Sequence, residues 1–375
     1  MVAGWIYPHR DRCGIARYSS DYAGALSAII PVFDIDPRWW ITDRKRFHRT
    51  VSDCTLIHVQ YDTAVYLNGH ADFYLPMLHG ITVPVVVSLH EIYDEHPFVF
   101  PRSQIGGKLP SRALRTIVWD LRHPVEHAFA RHLAKKFGAT RILVHHDYHR
   151  RILAGKGVPE PMVTTLPLPL YRTGAPVPYL PDPLRPLRIG AHGFIQQAYD
   201  YDLLFDTLNR LSLPWTFTWI GGVRTPDQQH LLDMITGRVR EAGWSGRFHI
   251  TGWIDEQDIG RRLADVDLIL ALFATRSSSA SIARTLSFGK AVIAAELPLT
   301  REIAQGNRYS HQSTAAPIIT APADPAQIAA RIGEFATDGV LRMRLYEAIA
   351  AYVDEHSFDI MAGKLYILYR ELCGK

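Results

Sequence analysis

LILALFATRSSSASIARTLSFGKAVIA, residues 268–294, carries the fold in one stretch. Leu268–Leu272 is an apolar run of strand length, and Ala291–Ala294 is another. Neither alternates with polar residues, as expected of strands covered on both faces. Between them Ala280–Phe288 has helical spacing and stops at Gly289, the residue type that tolerates the left-handed turn closing a helix. Strand, helix and strand in that order make a parallel pair joined by a right-handed crossover.

The alternation extends outward from this unit. Upstream, Leu187–Ala191, Trp215–Ile220 and Phe248–Thr251 read as strands, separated by helices over Asp202–Leu211, Asp227–Ala242 and Glu256–Ala264. Downstream, Asp324-Pro325 starts a helix reaching Ala336, and Leu341–Cys373 is helical around a break near His356–Phe358. The N-terminal half repeats the pattern, with strands at Val2–Tyr7, Leu56–Val59, Val85–Leu89 and Arg141–Val144. Its helices are expected at Tyr18–Ile30, Ser111–Phe137 with a break at Pro124, and Asp147–Ala154. Between the halves, Pro159 to Pro186 holds nine prolines, which exclude a helix or central strand and suit an extended linker. The expected fold class is α/β, with two doubly wound, Rossmann-like parallel-sheet domains over 1–170 and 187–355. Residues 171–186 link them and 356–375 close the chain. Ligands of such sheets bind beyond the carboxyl ends of strands, so the cleft between two such domains is the expected site.

Composition agrees and excludes several classes. At roughly 150 residues per domain, 375 residues predict two domains. With 47% hydrophobic and 21% charged residues the chain is neither disordered nor fibrous. A net charge of +4 is too small to argue for nucleic acid. Cys13, Cys54 and Cys373 are odd in number and widely spaced, which supports neither a disulfide framework nor a zinc site. A reducing compartment is expected. Met1–His9 has no basic segment before its apolar stretch, so no signal peptide is expected. No window of about 18 residues lacks charge and proline, so no membrane span is expected. His145, His146 and His149 include a pair at helical spacing, but no fourth ligand is evident and no metal is expected.

Several segments together resemble glycosyltransferase family 4. Cys13–Tyr18 (CGIARY) resembles its first loop, Ile57–Tyr61 (IHVQY) and Val85–His90 (VVVSLH) two of its strands. Gly193-Phe194-Ile195 with Tyr201–Leu204, then Phe248–Glu256 with Ala264–Asp267, resemble its donor-domain segments in the right order. Ser277–Ala294 resembles its donor loop and helix, and Ser357–Leu372 its last helix, which crosses back to the first domain. The resemblance implies the GT-B architecture and transfer of a sugar from a nucleotide-sugar donor with retained configuration. It implies no separate cofactor and no metal in the site.

That chemistry expels a phosphate-rich leaving group, so the site must hold negative charge. The N-terminus of helix 280–288 offers unpaired N–H groups and a positive dipole end. Ser277, Ser278 and Ser279 stand there, either as phosphate donors or as a plain helix cap. Gly14, Gly193 and Gly222 would admit a ligand against backbone. Phe194, Trp253 and Ile254 are expected beside the nucleotide, with Trp253 packed on the base or on the sheet. His90, at the end of a buried strand, is either the sugar-side catalytic contact or a packed core histidine. Arg17, Tyr18, Glu91 and Asp94 are the acceptor-side candidates. Loop carboxylates and Arg17 are equally read as solvated.

The sequence departs from the family in four places. An Arg–Lys pair that clamps the diphosphate is matched by Gln196 and Tyr199. Two Glu residues separated by seven residues are matched by Arg276 and Arg284. The two arginines would then supply the positive charge from the opposite wall. Arg276 could instead pair with the carboxylate of an acidic donor sugar. The alternative is a catalytically silent relative that binds sugar or a partner enzyme. Arg112, Arg115, Arg122, Arg131, Lys135 and Lys136, interleaved with Trp119 and Phe129, fit a peripheral membrane contact for a lipid-linked acceptor or an ordinary solvated helix face. The expectation is a cytoplasmic enzyme, peripheral on the inner membrane face, acting on a glycan or lipid-linked acceptor in polysaccharide or glycoconjugate assembly, with no nucleic-acid partner.

Overall fold

A computed structural model describes residues 1–10, 13–62, 65–68, 71–93, 140–173, 178–180, 182, 185–306 and 316–374. The chain divides into two compact units, Met1–Pro169 with Phe358–Lys375, and Leu170–Ser357. Each is built on a six-stranded sheet in which every pairing is parallel.

The first unit contains β1 (Ala3–Ile6), β2 (Val32–Ile35), β3 (Leu56–Tyr61), β4 (Leu67–Asn68), β5 (Ala71–Asp72), β6 (Val85–Leu89), β7 (Thr140–Val144) and β8 (Val163–Thr165). Its main sheet runs β2-β1-β3-β6-β7-β8, and β4 and β5 form a separate antiparallel pair. Strand residues alternate between two apolar layers: Ile6, Ile57, Val59, Val85 and Val87 face one, and Ala3, Trp5, Leu56 and Val86 the other. The second layer is closed by helix Gly14–Ser27 and the last helix, Phe358–Leu372. They meet through Met361, Ala362, Leu365 and Tyr369, and the Tyr22 hydroxyl donates to the Met361 carbonyl at 3.0 Å.

The second unit contains β9 (Leu187–His192), β10 (Trp215–Ile220), β11 (Phe248–Ile250), β12 (Leu268–Ala271), β13 (Ala291–Ala295) and β14 (Ile319–Ala321), in the order β11-β10-β9-β12-β13-β14. That is the Rossmann order, and its direction reverses between β9 and β12, where such sheets bind ligands.

The structure differs from the sequence reading in identifiable ways. The first helix starts at Gly14 rather than Tyr18, capped by Cys13 without a side-chain bond, so no sequence cap marked it. Strand β2 and helices Trp39–Thr42 and Arg44–Ser52 went unread, because apolar and charged residues there show no clean period. Within the proline-rich stretch, Val163–Thr165 is strand β8, at the sheet edge, where neighbouring prolines remove no ladder bond. The expected helix over Ser111–Phe137, with the basic residues read as a membrane contact, lies outside the described residues.

The stretch after β8 is tied to the second unit. The Tyr171 amide donates to Ser287 Oγ at 3.0 Å, and Tyr179 stacks on Phe335 with ring centroids 5.6 Å apart. Asp267 accepts from Arg185 Nη1 at 2.9 Å, Arg188 Nη2 at 2.7 Å and the Arg188 amide at 2.9 Å. Burial pushes its carboxyl up, but the hydrogen bonds from Arg188 and Arg185 outweigh this and hold it below its ordinary value. Asp267→Asn should therefore destabilise the protein by about 2 kcal/mol. The figure stays modest because both guanidinium groups remain partly in water. Urea denaturation at neutral pH measures it.

Candidate functional site

The carboxyl edge of the second sheet is built largely from backbone. Gly193 follows β9 at φ +117°, and Gly221 follows β10 at φ +138°. A Cβ on Gly221 would lie 2.1 Å from the Gly193 carbonyl oxygen, so no other residue fits. A Cβ on Gly222 would stand 3.1 Å from Gly252. Hydrogen bonds lace these loops together: Trp219 Nε1 donates to Gly193 O at 2.9 Å, Ile195 N to Gly222 O at 3.0 Å, and Gly221 N to Thr251 Oγ1 at 3.0 Å. Phe194 and Trp253 stack beside this edge with centroids 5.9 Å apart, and the Arg224 guanidinium lies 5.7 Å from the Phe194 ring. Trp253 is 43% exposed, so its ring is not absorbed into the sheet. Ile254 follows it, partly buried.

Helix Ala280–Ser287 opens on the other side of the switch point. A Cβ on Gly193 would lie 3.2 Å from Ser281 Cβ, so the loop after β9 abuts the helix's first turn. Ser279 is the N-cap: its hydroxyl accepts from Ile282 N at 3.2 Å and lies 3.0 Å from Ser281 Oγ. The capping alternative thus holds for Ser279. Ser277 is buried behind it. Ser278 Oγ is shielded from solvent and has no hydrogen-bond partner among the described residues.

Arg276 and Arg284, which the resemblance matches to two glutamates, behave differently. Arg284 ion-pairs with Glu256 on helix Glu256–Ala264, and its guanidinium covers the Tyr171 ring at 4.2 Å. Its charge is already met by a carboxylate, which corrects the expectation that both arginines face a phosphate. Arg276 has no carboxylate partner among the described residues; its Nη1 donates to Gln196 Oε1 at 3.4 Å and its Nε is shielded without a partner. Gln196 therefore touches Arg276 across the switch point. Tyr199 is buried, with its hydroxyl donating to Leu270 O at 3.1 Å, and offers the edge no polar group. A further participant that the sequence reading passed over is His192, the last residue of β9, whose Nδ1 lies 3.0 Å from Thr285 Oγ1. Burial lowers its pKa to about 4, so it is a neutral neighbour of the helix at pH 7. Neither His192 nor Arg224 sits in a motif; only the pairing β10 to β9 and the turn after β10 place them here.

In the first unit, Gly14 is the first residue of its helix, and a Cβ there would meet open space, so the fold itself does not require glycine. Arg17 pairs with Asp21 one turn on, at 2.7 Å, on the exposed helix face. Tyr18 stands edge-on to His90 with centroids 5.3 Å apart. Glu91 is partly buried just past β6, and Asp94 lies outside the described residues.

His90 is held inward. Its Nε2 lies 2.9 Å from Gln60 Oε1 and its Nδ1 3.3 Å from His145 Nε2. Those two contacts belong to a buried chain that continues from Gln60 to His58 at 3.3 Å, from His58 to Ser88 Oγ at 2.8 Å and to the Tyr369 hydroxyl of the last helix, and from His145 to Leu166 O at 3.2 Å. Both ring nitrogens of His90 are committed to the core. The packed-histidine alternative fits this geometry, and a catalytic contact through the imidazole does not.

No protein-family model matches the chain, and no curated protein matches it by sequence. Solved structures share its fold. HepE of Anabaena, crystallised with UDP and glucose, superposes with TM-score 0.68 at 12% identity, covering 98% of each chain. Sucrose-phosphate synthase of Thermosynechococcus elongatus gives TM-score 0.70 at 13% identity, covering 99% of this chain and 98% of that one. The lipopolysaccharide outer core galactosyltransferase WaaB, in its apo form, gives 0.59 at 12%, covering 97% and 98%. The fold is GT-B: two α/β units with parallel sheets, as in these glycosyltransferases. No helix among the described residues is long and apolar enough to cross a membrane.

The buried histidines set a pH dependence. Burial, then the charge of neighbouring histidines, lowers His58 and His145 to about 3, and His90 also lies well below its ordinary value. The unfolded chain, titrating near ~6.5, binds more protons than the folded one below that pH. The stabilisation is complete above the unfolded value and drains as pH falls toward the folded values. Urea stability should drop between about pH 6.5 and 5, above the carboxylate range, by roughly 1.4 kcal/mol per pH unit for each histidine protonated only when unfolded. A flat profile across that window would refute the neutral chain.

Proposed function

We propose that this protein is a glycosyltransferase that takes its sugar from a nucleotide-sugar donor bound at the carboxyl edge of the second sheet. The observation that carries this reading is the pair of shielded, unpartnered donors, Arg276 Nε and Ser278 Oγ, beside the N-terminus of helix Ala280–Ser287. A shielded guanidinium nitrogen and hydroxyl with no acceptor are costly to leave unpaired, and an acceptor oxygen beside them relieves that cost. The diphosphate of the donor supplies that oxygen. The glycines at 193, 221 and 222 pack the loops of this edge against one another and against the first turn of the helix, and the exposed face of Trp253 takes the base. Crystal structures of HepE with UDP and with UDP-glucose support the nucleotide class.

Transfer breaks the bond between the sugar's anomeric carbon and the diphosphate oxygen and forms one to an acceptor hydroxyl. The helix amides, Ser278 and Arg276 stabilise the charge that gathers on the leaving phosphate. Retention of configuration brings the acceptor oxygen to the face the phosphate leaves, so the departing phosphate oxygen takes the acceptor proton. The nucleotide sugar is a substrate, and the reaction needs no separate cofactor. The acceptor is a glycan or a lipid-linked glycan met by the first unit near Tyr18 and Glu91. The setting is polysaccharide or glycoconjugate assembly in the cytoplasm, at the inner face of the membrane.

A second reading, a silent relative that binds sugar or a partner enzyme, is favoured by Tyr199 and Arg284, whose polar groups are turned to internal partners. Thermal denaturation with UDP, GDP and ADP separates the two. The glycosyltransferase reading expects one nucleotide to raise the melting temperature and Arg276→Ala to weaken it by roughly 10- to 100-fold. It also expects release of that nucleotide from a matching sugar donor. If the acid-sugar role holds, Arg276→Ala raises KM far more for a uronic donor than for its neutral counterpart; equal losses assign Arg276 to the diphosphate alone. No response to any nucleotide sinks the donor site.

A further inference from the structure

We propose that Trp39–Arg49, on the first unit, is a docking surface for the anionic headgroups of a phospholipid bilayer. This goes beyond the donor reading and rests on none of its residues. After the edge strand β2, the chain turns through Asp36-Pro37-Arg38 into helix Trp39–Thr42, then helix Arg44–Ser52. Arg44, Lys45, Arg46, His48 and Arg49 are exposed. Two nearby carboxylates are engaged, Asp36 pairing with Arg38 at 2.7 Å and Asp43 capping the second helix by accepting from the Arg46 amide at 3.1 Å, while the exposed Asp53 at that helix's far end makes no ion pair with Arg49 among the described residues. Among the described residues, none of Arg44, Lys45, Arg46 and Arg49 has an ion-pair partner.

The arrangement is costly to the isolated protein. Arg44, Lys45 and Arg46 occupy the first turn of the helix, where the positive end of its dipole opposes them, and no acidic residue sits in that turn. Lys45 and Arg49 are like charges one turn apart, as are Arg46 and Arg49. Four mutually repelling cations with no ion-pair partner among the described residues are relieved by an external anionic surface.

The apolar half of the patch selects a membrane over a soluble polyanion. The Arg46 guanidinium lies 3.6 Å over the Trp39 ring and that of Arg44 4.1 Å over Trp40. Trp40 in turn stacks on Phe73, with centroids 6.0 Å apart, so the layer is anchored in the core. Stacked guanidinium groups are weakly hydrated and suit the headgroup depth, where tryptophan also concentrates. Ile41, 44% exposed between the two tryptophans and the basic helix, adds an aliphatic contact that a nucleic acid or acidic glycan does not need.

Co-sedimentation with vesicles tests this, using phosphatidylcholine mixed with phosphatidylglycerol against phosphatidylcholine alone. The full chain should bind the mixed vesicles, weaken with salt, and leave neutral vesicles unbound. The triple change Arg44→Gln, Lys45→Gln and Arg49→Gln should reduce binding by roughly a hundredfold, and Ile41→Ser by about fivefold. The triple variant should melt no lower than the parent, because it removes repulsion, and should respond to nucleotides unchanged. Equal binding to neutral vesicles, undiminished binding of the triple variant, or capture by RNA without capture by the mixed vesicles would each overturn the proposal.

Discussion

The backbone contact between Gly193 and Gly221 is the constraint on which the second unit's ligand edge depends. With 2.1 Å between a notional Cβ at 221 and the carbonyl of 193, and both residues at positive φ, the loops after β9 and β10 meet without side chains between them. That closeness lets Trp219 reach the Gly193 carbonyl and Gly222 lie against Gly252. It leaves polar backbone, rather than packed side chains, as the wall beside the switch point.

Charge on this edge is distributed by pairing more than by residue type. Arg276, in the loop before helix Ala280–Ser287, and Arg284, on that helix, look alike in the sequence. Glu256 neutralises Arg284 and Tyr171 covers it, while Arg276 meets only the weak acceptor of Gln196. The positive end of helix Ala280–Ser287 adds to Arg276 on the same side, and the nearby His192 stays neutral.

The first unit solves a different problem, the burial of polar groups inside a parallel sheet. Trp5, Tyr22 and Leu365 supply the apolar layer, and within it His58, Gln60, Ser88, His90 and His145 satisfy one another in a line ending at Tyr369. A buried polar group costs little when its partners are in place and much when they are not. The line joins β3, β6 and β7 to the last helix and makes neutrality of the histidines a condition of that packing.

The sequence by itself determined both sheets, most of their strands and the helix over 280–287, because apolar runs, serine caps and closing glycines act through neighbours in the chain. Gly193, Gly222 and the serine loop follow strand ends in the sequence, so their placement at the sheet edge has a local cause. The sequence missed β2 and the two helices that follow, where partly buried tryptophans and a run of cations obscure any period. Only the tertiary structure decided the fate of the charged and titratable residues. His90 turned inward because Gln60 on β3 and His145 just past β7 lie beside it, and Arg284 pairs with a carboxylate on another helix. Such pairings depend on which elements become neighbours in space, and hydrogen bonds and ion pairs reach only a few ångströms, so no pattern along the chain records them.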